Sequence, residues 1–275
     1  MLELPGISTA LLAETLEKFL AEELRASGLA GYVVGLSGGV DSAVSAALAA
    51  AAVGRERVLA LALPGPTSAP ESLRDAQAVA ETYSLRLEKI ELGSPAEHLA
   101  ETLGARADRV RFGNLMARLR MVALFDRART VPALVLGSSN KSEILLGYST
   151  LFGDAAASVQ PLGDVWKTHI FALARALGVP AAVVSKAPTA DLWPGQTDAG
   201  ELGFDYPTVD PVLYWHHEGG MGREELIAAG FPAALVDGAL GAYRRNRFKW
   251  RPTVVARVSA SCMNVDRILP RNPER

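Results

Sequence analysis

The feature that most constrains this chain is a change of periodicity across residues 35–42. Tyr32-Val33-Val34-Gly35-Leu36 reads as a short buried strand; it runs straight into Ser37-Gly38-Gly39 and then into an alanine-rich helix that reaches Val53 and stops at Gly54. A strand that feeds a helix through a few small residues is half of a β–α–β unit, the building block of a parallel sheet. Gly38 and Gly39 can take positive φ and aim backbone N–H groups into one concave space. The helix that starts there adds the positive end of its dipole and its unpaired N–H groups, so the turn suits phosphate or pyrophosphate. Asp41 stands at its mouth, where a carboxylate would hold magnesium beside phosphate oxygens.

The same alternation continues on both sides. Ser8 is placed to cap a helix whose apolar stripe runs Leu12, Leu16, Phe19 or Leu20, and Leu24, with Gly28 as its stop. A second strand is expected over residues 58–63, and Leu85, Leu87, Ile90 and Leu92 mark a third. Between them, Ser68 with Glu71 predicts a capping box for a helix ending near Tyr83. Ser94-Pro95-Ala96-Glu97 predicts another, with proline at the first helical position. A long amphipathic helix over about residues 110–129 leads to a fourth strand at 133–136. From Pro161 onward the pattern is mostly helical and ends in a basic segment and an irregular tail. No linker divides the chain, so one folding unit over residues 1–275 is expected: α/β, a doubly wound parallel sheet with helices on both faces and a helical C-terminal part.

Composition narrows the function classes. With 49% hydrophobic residues in 275, a sizeable core is available. Twenty-eight basic against 30 acidic side chains leave no basic excess for nucleic acid. The longest apolar run, residues 46–53, falls far short of the ~20 residues that span a bilayer, and no secretory signal is read, so a cytoplasmic protein is expected. One cysteine, Cys262, can form neither an internal disulfide nor a zinc site alone. Only six of the basic residues are lysine, at positions 18, 89, 141, 167, 186 and 249, which points to places where a compact ammonium is wanted.

Other phosphate motifs are absent: there is no Gly-Lys pair for a Walker loop and no G-x-G-x-x-G. Gly35-Leu36-Ser37-Gly38-Gly39 does match the serine-hydrolase elbow, G-x-S-x-G. That reading needs a late histidine, and only His98, His169, His216 and His217 exist; Asp41, so close to the supposed nucleophile, has no place in it.

Ser37-Gly38-Gly39-Val40-Asp41-Ser42 resembles the signature of the N-type ATP pyrophosphatases, and the chain as a whole resembles the NAD synthetases of the ammonia-dependent type. Further matching segments follow in order: Asn114-Leu115-Met116-Ala117-Arg118-Leu119-Arg120-Met121, Gly137-Ser138-Ser139-Asn140-Lys141-Ser142-Glu143, and Gly147-Tyr148-Ser149-Thr150-Leu151-Phe152-Gly153-Asp154. Pro161 through Lys167-Thr168, the stretch from Pro188 to Asp198, and Phe248-Lys249-Trp250-Arg251-Pro252 complete the set.

The resemblance implies an adenine nucleotide alpha hydrolase-like fold and the ATP-dependent amidation of deamido-NAD through an adenylated intermediate, with AMP and pyrophosphate released. It implies ATP contacts at Gly35, Leu36, Ser37, Gly38, Gly39, Val40, Asp41, Ser42, Ser138, Lys167 and Thr189, and magnesium at Asp41 and Glu143. For deamido-NAD it implies Asn114, Arg118, Glu143, Tyr148, Ser149, Thr150, Leu151, Ser158 and Lys249. Lys167 would offset charge on the leaving group, and Asp154 is the candidate base for ammonium. Residues 186–206 would form a lid. The chain departs from many ammonia-users at Leu151 (commonly lysine), Ser158 (often aspartate) and Phe248 (histidine). A homodimer is expected from the family, and a separately encoded glutaminase is the alternative nitrogen supply. A tRNA-modifying ATP pyrophosphatase would share the first loop but would want a basic face and often paired cysteines.

Overall fold

A computed structural model describes residues 2–193, 195–250, 253–259 and 261–262. Pro194, Arg251 and Pro252 of the matching segments, and residues 263–275, lie outside the described residues.

The chain builds a four-stranded parallel sheet from β1 (Gly31–Gly35), β2 (Val58–Ala62), β3 (Arg86–Lys89) and β4 (Ala133–Leu136), in the spatial order β3-β2-β1-β4. Val33 pairs with Leu59 on one side and Val135 on the other, so the strand order reverses at β1. Such a reversal opens a crevice at the carboxyl ends of the two strands beside it. The alternation along the strands splits the core. Tyr32, Val34, Val58, Ala60, Leu134 and Leu136 face α1 (Thr9–Ser27), α2 (Val40–Val53), α3 (Pro70–Thr82) and α7 (Lys167–Ala176). Val33, Leu59, Leu61 and Val135 face α4 (Gly93–Thr102) and α5 (Arg109–Thr130). The helical remainder comprises α6 (Lys141–Leu146), α8 (Ala181–Ser185), α9 (Asp198–Leu202), α10 (Tyr206–His217), α11 (Arg223–Ala228) and α12 (Ala233–Arg245). Within it, Leu146, Trp166, Tyr206, Leu213, Phe231 and Val236 form a third apolar cluster.

Most sequence expectations hold at the element level, with informative exceptions. Ser8 caps α1 and Gly28 closes it at φ +69°, while Leu20, not Phe19, supplies the third buried position of the stripe. Neither expected capping box forms. Ala69 is the N-cap of α3 with Pro70 next, and Ser68 turns back to accept the Gly65 N–H and the Arg120 guanidinium. Leu92 precedes α4, which leaves Ser94 inside the helix. Proline at N1 removes one of the donors that a capping side chain would satisfy, which weakens the need for it. The long helix α5 is not amphipathic in the expected sense. Gly113, Met116, Ala117 and Ala128 are its buried positions, while Val110, Val122 and Phe125 are exposed. The sheet also gains a short fifth element, because Val159 bridges Leu136 in parallel and its carbonyl accepts the Gly137 N–H.

Candidate active site

The crevice beside β1 opens into a cavity of about 520 Å³ lined from the 35–42 turn, the ends of β2 and β4, the inner face of α5, residues 147–156 and the 186–198 segment. Gly38 takes φ +79°, and a Cβ there would sit 2.4 Å from the Ser72 carbonyl of α3, so only glycine fits. Gly39 is extended at φ −93° and serves instead as the N-cap of α2, a correction to the expected positive φ. The Ser37 and Ser42 hydroxyls, 3.1 Å apart, lock the loop: Ser37 Oγ accepts the Gly39 N–H, and Ser42 Oγ donates to the Gly39 carbonyl. With Ser37 so engaged and none of the four histidines among the lining residues, the hydrolase reading has no catalytic partner.

Asp41, on the first turn of α2, and Glu143, on the first turn of α6, converge on Lys167 at the start of α7. Their oxygens lie 2.5 and 3.1 Å from its Nζ. Asn140 donates to the second Asp41 oxygen at 2.9 Å and also caps α6, in a capping box closed by Glu143. Lys167 is 2% exposed. Burial opposes its charge, but Asp41 and Glu143 hold it protonated above the usual lysine range. Burial pushes the Glu143 carboxyl up to about 8 despite the neighbouring lysine, because one ammonium serves several carboxylates. The α7 end that carries Lys167 is itself pinned: Asp210 accepts the Thr168 N–H at 2.9 Å and the Ser142 hydroxyl at 2.6 Å, and that hydroxyl accepts the Lys167 N–H.

Across the cavity a second charged group surrounds Asp154. Its carboxylate accepts the Thr150 N–H at 2.8 Å, and burial raises its pKa against the pull of Lys249 and Arg120. Thr150 donates to Asn114 at 2.7 Å, which joins α5 to this loop. Lys249 donates to the Gly147 and Ser149 carbonyls, at 2.6 and 2.8 Å. Tyr148 donates to Glu201.

Gly35, Leu36, Ser37, Gly39, Val40, Asp41, Ser42, Asn114, Ser138, Glu143, Tyr148, Ser149, Thr150, Asp154, Lys167, Thr189 and Lys249 therefore all line the one cavity, with Gly38 packed behind it. Three expected residues do not. Arg118 is exposed on α5, Leu151 faces away from the lining, and the Ser158 hydroxyl accepts the Val135 N–H at the sheet edge. Phe248, the third departure, is 63% exposed.

Sequence reasoning missed Arg120, Lys186, Asp191 and Asp198, which also line the cavity. Arg120 donates to the Leu63 carbonyl and Ser68. Lys186 pairs with Asp75 at 2.9 Å, and Asp191 accepts the Ala69 N–H at the start of α3. All four lay inside segments already singled out, and Lys186 was also one of the six lysines, so the signal was present but not resolved to the residue.

These features define an α/β nucleotide-binding protein whose glycine turn, paired carboxylates and buried lysine sit at the point where the strand order reverses. The NAD synthase family pattern matches residues 12–253, and the chain belongs to that family. It is 42% identical over 260 residues to an NH(3)-dependent NAD(+) synthetase of Chlorobium phaeobacteroides strain BS1, covering 94% of each chain. Its fold superposes on the NMN synthetase of Francisella tularensis with a TM-score of 0.81 and 29% identity, over 91% of this chain and 99% of that one. The glutamine-dependent NAD+ synthetase of Acinetobacter baumannii aligns at TM-score 0.69 and 29% identity, with all of this chain covering 52% of that one.

Proposed function

We propose that the whole chain works as one synthetase unit that converts deamido-NAD to NAD with ATP and ammonia, the last step of NAD biosynthesis, and that the cavity residues carry it as follows. It is a ligase that forms a C–N bond and uses ATP as co-substrate. The observation that carries the reading is the convergence of Asp41, Glu143 and Lys167 beside the 35–42 turn.

In the first step the nicotinate carboxylate attacks the α-phosphorus of ATP, forming a mixed anhydride and releasing pyrophosphate. The turn amides and the α2 N-terminus hold the departing oxygens, and Lys167 offsets their charge. Ser138 and Thr189 border the nucleotide. Asp41 and Glu143 fit a magnesium ion, since both offer hard carboxylate oxygens on the same wall of the cavity, beside Lys167. When bound, magnesium would neutralise phosphate charge there. In the second step ammonia attacks the anhydride carbonyl, the carboxamide forms, and AMP leaves. Asp154, buried and raised in proton affinity, takes the proton that ammonium must lose. Asn114, Tyr148, Ser149, Thr150 and Lys249 border the dinucleotide, and residues 186–206 close over it.

A homodimer is supported by the exposed Val110, Val122 and Phe125 of α5, and in it Arg118 would serve deamido-NAD at the partner's edge. A cytoplasmic location agrees with the described residues, where no helix is long and apolar enough to cross a membrane.

The test is NAD formation from deamido-NAD and Mg-ATP, with ammonium chloride or glutamine as the sole nitrogen source. Turnover with ammonium alone, matched by AMP release, is expected. Turnover with glutamine and a partner glutaminase, but not with ammonium chloride, would make the chain a subunit fed by a partner. No NAD from either source, by folded protein that binds ATP, would overturn the reading. Nicotinate mononucleotide in place of deamido-NAD shows whether the adenylyl half of the substrate is required.

A further inference from the structure

Asp198 is 3% exposed, lines the cavity, and has no part in the mechanism above. Its two oxygens differ. Oδ2 accepts the Tyr206 hydroxyl at 2.8 Å, whereas Oδ1 is buried with no hydrogen-bond partner. A buried carboxylate oxygen left without a donor is costly, so the arrangement implies a donor that arrives with the substrates. The nearest hydroxyl does not supply it. Tyr148 borders Asp198, but its one proton goes to Glu201, and its oxygen accepts from the Gln196 amide at 3.5 Å.

The surroundings select the charge of the missing donor. Asp41, Glu143, Asp198 and Glu201 line this end of the cavity, with Lys167 as the cation among them. Tyr206 presents its ring to a cation already, with Lys167 Nζ 5.1 Å from the centroid. At the Asp154 end, by contrast, Arg120 and Lys249 already lie close enough to act on the carboxylate.

We infer that Asp198 Oδ1 receives the nitrogen substrate as ammonium, before the proton is removed. Ammonium has the size of water and four donors, which suits a buried carboxylate oxygen left without one. The inference rests on the ammonia-dependent amidation proposed above and assigns its third substrate a place.

The two half-reactions separate this role from a structural one. Deamido-NAD-dependent exchange of pyrophosphate into ATP needs no ammonium, whereas NAD formation does. Asp198→Asn is expected to keep the exchange rate within about twofold and to raise the ammonium KM about tenfold or more, with the KM values for ATP and deamido-NAD little changed. An unchanged ammonium KM, or exchange lost in parallel with NAD formation, would overturn the assignment; the latter would make Asp198 a support for Lys167. Should the variant not fold, wild-type crystals soaked with thallium(I), a scatterer with the charge of ammonium, decide the question. The ion is expected beside Asp198 Oδ1, and its presence only elsewhere, or nowhere in the cavity, refutes the inference. Wild-type protein that makes no NAD from ammonium would instead refute the functional reading, so the two failures are distinct.

Discussion

Asp154 shows how one side chain can serve chemistry at the expense of stability. Burial holds its carboxyl above the ordinary aspartate value, so the folded chain binds that proton more tightly than the unfolded chain does. The resulting stabilisation is complete below the unfolded pKa and is lost as pH rises through the folded one. At neutral pH the ionised carboxylate is therefore a net burden. Asp154→Asn is expected to raise Tm at pH 7 by about 2 °C, a gain that shrinks as pH falls through the raised pKa of the wild-type group. The same variant should lose about 100-fold in kcat while the KM for ATP holds. Melting curves at pH 7 and at lower pH, with steady-state kinetics, check both halves; a variant less stable at pH 7 would show that the bond from the Thr150 N–H outweighs the desolvated charge.

At the scale of elements, the segment after α8 is held against the sheet layer by side chains. Asp191 sits in the left-handed region at φ +50°, which aspartate tolerates better than most residues, and its carboxylate reaches Ala69 at the N-terminus of α3. Thr67 donates to the Leu192 carbonyl at 2.9 Å, and Gln196 accepts the Leu192 N–H at 2.8 Å. Asp191 thus satisfies a helix end that carries no capping side chain of its own, and favours the dipole of α3. Asp191→Ala is expected to cost about 1 kcal/mol and to raise the KM for ATP about fivefold; Asp191→Asn, which keeps the acceptor and the backbone preference, should do less of both. Limited proteolysis across residues 186–198 reports the loosening directly, and an Ala variant as resistant as wild type would refute this anchoring.

At the scale of the whole molecule, α5 carries two surfaces. Leu124, beside Gly35, and Ala128 pack it on the sheet layer, while Val122 and Phe125, 56% and 39% exposed, are left on the outside. In the proposed homodimer, this exposed apolar strip, on the helix that also supplies Asn114 and Arg120 to the cavity, would tie assembly to activity. Replacing both residues, Val122→Glu with Phe125→Glu, is expected to give a monomer by sedimentation velocity, with NAD formation reduced about tenfold or more through the deamido-NAD KM. A monomeric wild type, or a fully active monomeric variant, would remove the homodimer from the mechanism.

The strand-to-helix alternation, the parallel sheet and the glycine turn were legible in the sequence because each rests on local signals: periodicity, small residues and helix stops. So were Asp41, Glu143 and Lys167, which sit in segments whose order resembles a family. Two kinds of feature were not legible. Caps depend on where a neighbouring chain passes, and Asp191 replaced Ser68 at α3 only because residues 186–198 return across it. Burial of charge depends on all surrounding elements at once. Arg118 and Arg120 stand two apart on α5, yet one points to solvent and the other into the cavity. Asp198 reads as an ordinary residue near a helix start until the fold brings Lys167, Tyr206 and Tyr148 around it and leaves one oxygen bare. The sequence by itself determined which β–α units form and which loop faces phosphate, because those follow from interactions within a few residues. Only the tertiary structure decided which charges meet, because desolvation and Coulomb energy depend on distance in space.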